Sequence, residues 1–129
     1  MLYMFLLYAD PNADWPADTI ERHLAVYRET RARGAYVSSE ALGRTTEART
    51  VRVRNGRAHT TDGPFAETKE VLGGFYVLDC RDLDEALALA ANIPDARVGA
   101  VEVRPVVRVP DWPYADTPPR ERQPMAPPR

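Results

Sequence analysis

Cysteine, lysine and histidine are scarce in this chain. Cys80 is its single cysteine, which excludes an intrachain disulfide and fits a reducing cytoplasm. Lys69 is the one lysine among 17 basic Lys and Arg residues, and the formal net charge is −2. A nucleic-acid binder relying on bulk positive charge is therefore not expected. The two histidines and the cysteine are scattered and offer no metal-ligand spacing. No Gly-x-Ser-x-Gly elbow, phosphate-cradling loop or dinucleotide fingerprint occurs, so neither a nucleotide nor a redox cofactor is expected. The apolar start, residues 2–8, is too short to span a bilayer. It lacks the positive flank and cleavage site of a signal peptide and runs straight into Asp10-Pro11-Asn12. These absences describe a cytoplasmic protein with no membrane partner, and the Arg- and Ala-heavy usage fits a GC-rich bacterial genome.

What remains is an ordinary globular balance. The 129 residues are 44% hydrophobic and 28% charged, enough for one domain with one core. Leu2 to Tyr8 is a continuous apolar run suited to a strand buried on both faces. Asp18 with Glu21 three residues on resembles a capping box, and Ile20, Leu24 and Tyr27 follow helical spacing until Gly34 stops the helix. Residues 36–42 form a second strand. Val51 and Val53 alternate with Arg52 and Arg54 before Asn55-Gly56, the strongest short hairpin signal, and Asp62-Gly63-Pro64 closes that exposed hairpin.

Residues 72–80 form a strand apolar on both faces, with Gly73-Gly74 marking a bulge or a close backbone approach. Asp82 caps a second helix whose stripe is Leu83, Ala86, Leu87 and Ala90, stopped by Pro94. Residues 100–105 are the last strand. The order β-α-β, hairpin, β-α-β is the ferredoxin-like split pattern, an antiparallel α+β sheet with two helices on one face. Eight prolines in the last 25 residues set apart 106–129 as a proline-rich tail, an extended or disordered arm beyond a 1–105 domain. Two helices cover only one face of such a sheet, yet its central strands are apolar toward both. A homodimer closing sheet face on sheet face is the expected cover.

The most unusual stretch is Thr61 to Asp79, which contains Asp62-Gly63-Pro64-Phe65, Glu67-Thr68-Lys69-Glu70 and Leu72-Gly73-Gly74-Phe75-Tyr76. From the residues alone, Asp-Gly-Pro is a stiff turn that aims Phe65, and a structural corner explains it. The stretch resembles the signature of YCII-related proteins of the DGPF type. Ser39-Glu40-Ala41-Leu42 and Val101-Glu102-Val103-Arg104-Pro105 resemble the same family. The resemblance implies a ferredoxin-like fold, a dimeric α/β barrel-like assembly and an undefined enzymatic role shared by a histidine and an aspartate. It also implies a regulatory alternative, since DGPF members are often encoded beside extracytoplasmic-function sigma factors.

His23 stands in the first helix where that family's histidine is expected, one turn after Ile20 and one before Tyr27. An imidazole there can look into a pocket between helix and sheet, and imidazole titrates near neutral pH as proton transfer requires. A partly packed helix histidine is the competing explanation. The family's aspartate precedes a proline after the second helix, whereas here Ile93 precedes Pro94. Asp62 is the available replacement, an orienter for His23, and Phe65 an apolar wall. Glu40, Arg97 and Arg104 are candidates for binding an anionic or polar ligand, and surface ion pairs explain them equally. The hairpin arginines could meet phosphate, but a solvated edge guarded by charge accounts for them.

The leading expectation is a cofactor-independent small-molecule enzyme of lyase, isomerase or dehalogenase-like type, with the pocket near the dimer interface. The alternative is a non-catalytic dimeric ligand-binding or regulatory module.

Overall fold

The computed structural model describes residues 1–107 and 109–111, so the expected tail falls largely outside the described residues. The apolar run became strand β1, Leu2–Ala9, at the interior of a four-stranded antiparallel sheet. Its neighbours are β5, Val71–Asp79, and β6, Ala100–Pro105, and the far edge beyond β5 is β2, Tyr36–Ala41. The spatial order β2-β5-β1-β6, with α1 (Thr19–Ala32) and α2 (Leu83–Asn92) as crossovers, is the ferredoxin-like arrangement. A one-turn helix α3, Asp95–Val98, follows α2 and was not anticipated.

Strand alternation divides the sheet. Tyr3, Phe5 and Leu7 of β1, with Tyr76 and Leu78 of β5, are buried in the core with the helices. Leu2, Met4, Leu6 and Tyr8, with Phe75 and Val77, point the other way and are half-buried. No described element covers that second face.

The helices bury part of the stripe that their spacing indicated, Tyr27 on α1 and Ala86 and Ala90 on α2, and exchange the rest. On α1, Val26 and Thr30 are buried, while Ile20 is 72% exposed. His23, Leu24 and Tyr27 are half-buried beside them, so the core stripe keeps Leu24 and Tyr27 and replaces Ile20 with Val26 and Thr30. Asp18 precedes the helix without capping it; its carboxylate accepts from Arg22 Nε at 2.8 Å instead. On α2, Ala86, Leu89, Ala90 and Ile93 face the core, and Leu83 and Leu87 are exposed. Asp82 does cap α2, accepting from the Glu85 N–H at 2.9 Å.

The glycine pair acts in both expected ways. Gly73 is the extra residue where the β1–β5 register shifts between Leu7 and Tyr8. At Gly74 a Cβ would lie 2.8 Å from the Glu40 carbonyl oxygen, so only glycine lets β2 close on β5 there. The hairpin is a separate two-stranded ribbon, β3 (Arg49–Arg54) and β4 (Arg57–Asp62). Asn55 and Gly56 have φ of 52° and 75°, the paired left-handed residues of a tight hairpin turn.

Candidate functional site

His23 sits on the inner side of α1, one turn before Val26 and Tyr27. Its side chain is 28% exposed. Nδ1 lies 2.6 Å from the hydroxyl of Tyr76, which β5 projects from the same sheet face as buried Leu78. The two rings stack with centroids 6.0 Å apart. Nε2 lies 3.2 Å from Asp95 Oδ1, supplied by the first residue of α3. Asp95 is 8% exposed, and among the described residues its Oδ1 makes no other polar contact. A buried carboxylate with the imidazole as its counterpart is an uncommon arrangement and a costly one to leave unpaired.

Chemistry assigns the protons. Burial, the charge of Asp95 and the nearby Tyr36 all hold the Tyr76 phenol well above its ordinary pKa, so it stays neutral. Where the imidazole is neutral, the phenol O–H donates to Nδ1 and the Nε2–H faces the Asp95 carboxylate. If His23 takes a second proton, Nδ1–H becomes the donor and the phenol oxygen accepts. The contact survives both protonation states, so a proton can be stored on the ring without rearrangement.

All three residues line a cavity of about 510 Å³ at the mouth between α1 and the sheet. Its walls include Leu7, Trp15, Val71 and Phe75, with Ser39 and Thr19 adding hydroxyls. Ser39 is itself held by the buried Tyr36, oxygen to oxygen 2.6 Å. An apolar cavity with a few convergent polar groups is the general form of a small-molecule site.

The other expected site residues are distributed differently. Asp62 is not brought to His23: it ends β4, its carboxylate exposed, and pairs with Arg49 Nε at 3.0 Å across the ribbon. Phe65 lines a second cavity, about 690 Å³, with Tyr8, Leu42, Pro64 and Leu72, and its ring is 77% exposed. Glu40 does line the His23 cavity. Arg97 is exposed on α3, and Arg104 pairs with Glu102 at 2.8 Å on the opposite sheet face.

Tyr76 and Asp95 were missed from sequence for separate reasons. Asp95 stands one residue after Pro94 rather than before it. Tyr76 shares the parity of Leu78 in an apolar run, and its signal was the phenol itself, which needs a partner when buried. Among the described residues, no three His, Cys, Asp or Glu side chains are grouped to hold a metal ion, and no helix is long and apolar enough to cross a membrane.

Comparison with known proteins locates this architecture. An uncharacterized protein of Rhizobium meliloti (strain 1021) is 41% identical over 114 residues, covering 82% of this chain and 92% of the relative. Among solved structures, 5-chloro-2-hydroxyhydroquinone dehydrochlorinase from Burkholderia phenoliruptrix AC1100, in complex with 2,5-dihydroxybenzoquinone, aligns with a TM-score of 0.43. That alignment covers 84% of this chain and 96% of the other at 17% identity, too distant to speak for chemistry. The family model of the YCII-related domain matches residues 1–110, which hold both helices, the whole sheet and the His23 cavity, and the chain belongs to that family.

Proposed function

We propose that this protein is a small-molecule enzyme of the lyase or isomerase type, with His23 as its acid/base. The observation that carries the reading is the imidazole held between the Tyr76 hydroxyl at 2.6 Å and Asp95 Oδ1 at 3.2 Å on the wall of an apolar cavity. Asp95 takes the orienting role that the sequence had assigned to Asp62.

The chemistry that such an array supports is proton movement. A substrate bound against Leu7 and Trp15 loses a proton to the Tyr76 oxygen while the phenol's own proton passes to His23 Nδ1. The resulting imidazolium faces the Asp95 carboxylate, which stabilises the charge in a poorly solvated site. Returning the proton through Tyr76 to a neighbouring substrate atom completes an isomerisation. Delivering it to a departing group completes an elimination. Either cycle leaves the protein unchanged and uses no cofactor. General acid–base catalysis of this kind contributes about 10²–10⁴-fold.

A thermal-shift screen of small metabolites against wild type and His23→Ala, followed by turnover assays on the hits, tests the reading. A ligand that stabilises wild type but not the variant, and is converted, supports it. A ligand that binds both equally, or binds at His23 and is never converted, refutes catalysis. The second of these results leaves the ligand-binding or regulatory module in its place.

A further inference from the structure

The β3–β4 ribbon has a face that its own stability does not explain. Arg54 stands directly opposite Arg57, and Arg52 directly opposite His59, on one side of the ribbon. Val53 opposite Ala58 and Val51 opposite Thr60 occupy the other side. Like charges facing each other across a strand pair destabilise it, and the Arg54–Arg57 pair is of that kind, with Arg52 next along the same face. A ribbon that only needed guarding against edge pairing would set its charges toward the edges and mix their signs.

The counter-charges are absent from that face. Arg49 pairs with Asp62, but among the described residues Arg52, Arg54 and Arg57 have no ion-pair partner. Arg54 donates only to its neighbour's carbonyl, Val53 O at 2.9 Å. Every residue of β4 is exposed, as is nearly every residue of β3. The cationic face continues into an aromatic ring: the Arg52 guanidinium lies 5.3 Å from the centroid of Phe65, which is otherwise open to solvent.

The geometry points to single-stranded nucleic acid as the ligand of this face. Guanidinium groups two residues apart along a strand, about 6.6 Å, follow a phosphate backbone, and an exposed ring at the end of the row stacks a base. An acidic peptide would meet the arginines but has no use for the open Phe65 ring. The row runs along the exposed ribbon rather than into a cavity, which suits an extended polymer better than a free nucleotide. The net charge of −2 rules out binding by bulk attraction, not by a local row of three arginines.

The test is fluorescence anisotropy of a short labelled oligothymidylate against wild type, Arg54→Gln/Arg57→Gln and Phe65→Ala, over a range of salt. Wild type binds with an affinity that falls with salt. The double arginine variant binds more weakly and its salt slope drops by about 0.7 per arginine removed. Phe65→Ala loses about 5- to 100-fold in affinity with the slope unchanged. Melting temperatures establish that all three are folded, and relief of the Arg54–Arg57 repulsion leaves the double variant at least as stable as wild type. The proposal is overturned if wild type fails to bind at low salt, if the double variant binds equally, or if polyglutamate binds as tightly and Phe65→Ala is indifferent.

Discussion

His23 and Tyr76, 53 residues apart in sequence, meet through a 2.6 Å contact between Nδ1 and the phenol oxygen. That contact joins the inner face of α1 to the centre of the sheet at the cavity. Tyr76→Phe keeps the ring and removes only the hydroxyl. We expect it to cost about 1 kcal/mol of stability, the worth of one hydrogen bond, while turnover falls about 10²-fold or more. Denaturant melts and steady-state rates on the same preparation separate the two effects. A rate equal to wild type would remove Tyr76 from the proton path.

The same phenol contributes to the loss of stability in alkali. Burial and the Asp95 charge raise its pKa above the ordinary value of about 10. The folded protein therefore keeps a proton that the unfolded chain releases. Stability from this group is complete below the ordinary phenol value and declines as pH rises toward the raised one, by at most about 1.4 kcal/mol per pH unit. Tyr76→Phe should flatten that decline when unfolding free energies are measured from pH 9 upward. Parallel slopes in the two proteins would contradict the raised pKa.

Asp95 and Asp62 make opposite predictions. Asp95→Asn keeps the size of a buried side chain but removes the charge facing His23 Nε2, so turnover should fall while ligand binding persists. Asp62→Asn breaks an exposed pair with Arg49, worth at most about 1 kcal/mol, and should leave turnover unchanged. Rates for both variants on one substrate decide between them. Loss of activity in Asp62→Asn alone would restore the assignment made from sequence.

These results also show what sequence could carry. Strand order, the Asn55-Gly56 turn, the Asp82 cap and the Gly73-Gly74 bulge were all legible, because each depends on residues adjacent in the chain. The buried stripes were partly shifted because short amphipathic helices offer two adjacent apolar faces. On α2, Leu83-Leu87 and Leu89-Ile93 compete, and packing against β6 and α3 selects the second. His23 was singled out by its place on α1, but its partners come from β5 and α3, and nothing local to either announces the meeting. Asp62 was chosen for its motif, and the ribbon carries that motif into a pairing of its own.

Cys80 offers a check on the core. It is 1% exposed, and burial, reinforced by the charge of Glu85, pushes its thiol above the usual cysteine range. The thiolate is the reactive form, so native protein should resist alkylation at neutral pH and react only on unfolding. Mass spectrometry after timed iodoacetamide treatment, with and without denaturant, reads this directly. Rapid labelling of the native protein would place Cys80 in a segment that opens well below the global unfolding free energy.

The uncovered sheet face yields the last prediction. Leu2, Met4, Leu6, Tyr8, Phe75 and Val77 form its centre, and Ser38, Glu102 and Arg104 lie at its margins. An apolar centre with a polar rim is how a self-complementary interface is built. Fully burying each large side chain contributes about 1.5–3 kcal/mol, so a handful suffice to offset the entropy of association. The chain of 14.5 kDa should therefore scatter light as a particle of twice that mass. Leu6→Glu places a charge at the middle of the face, beside Phe75 across the β1–β5 pair, and should yield a folded monomer. A wild-type monomer at micromolar concentration would mean that something other than a second copy covers this face.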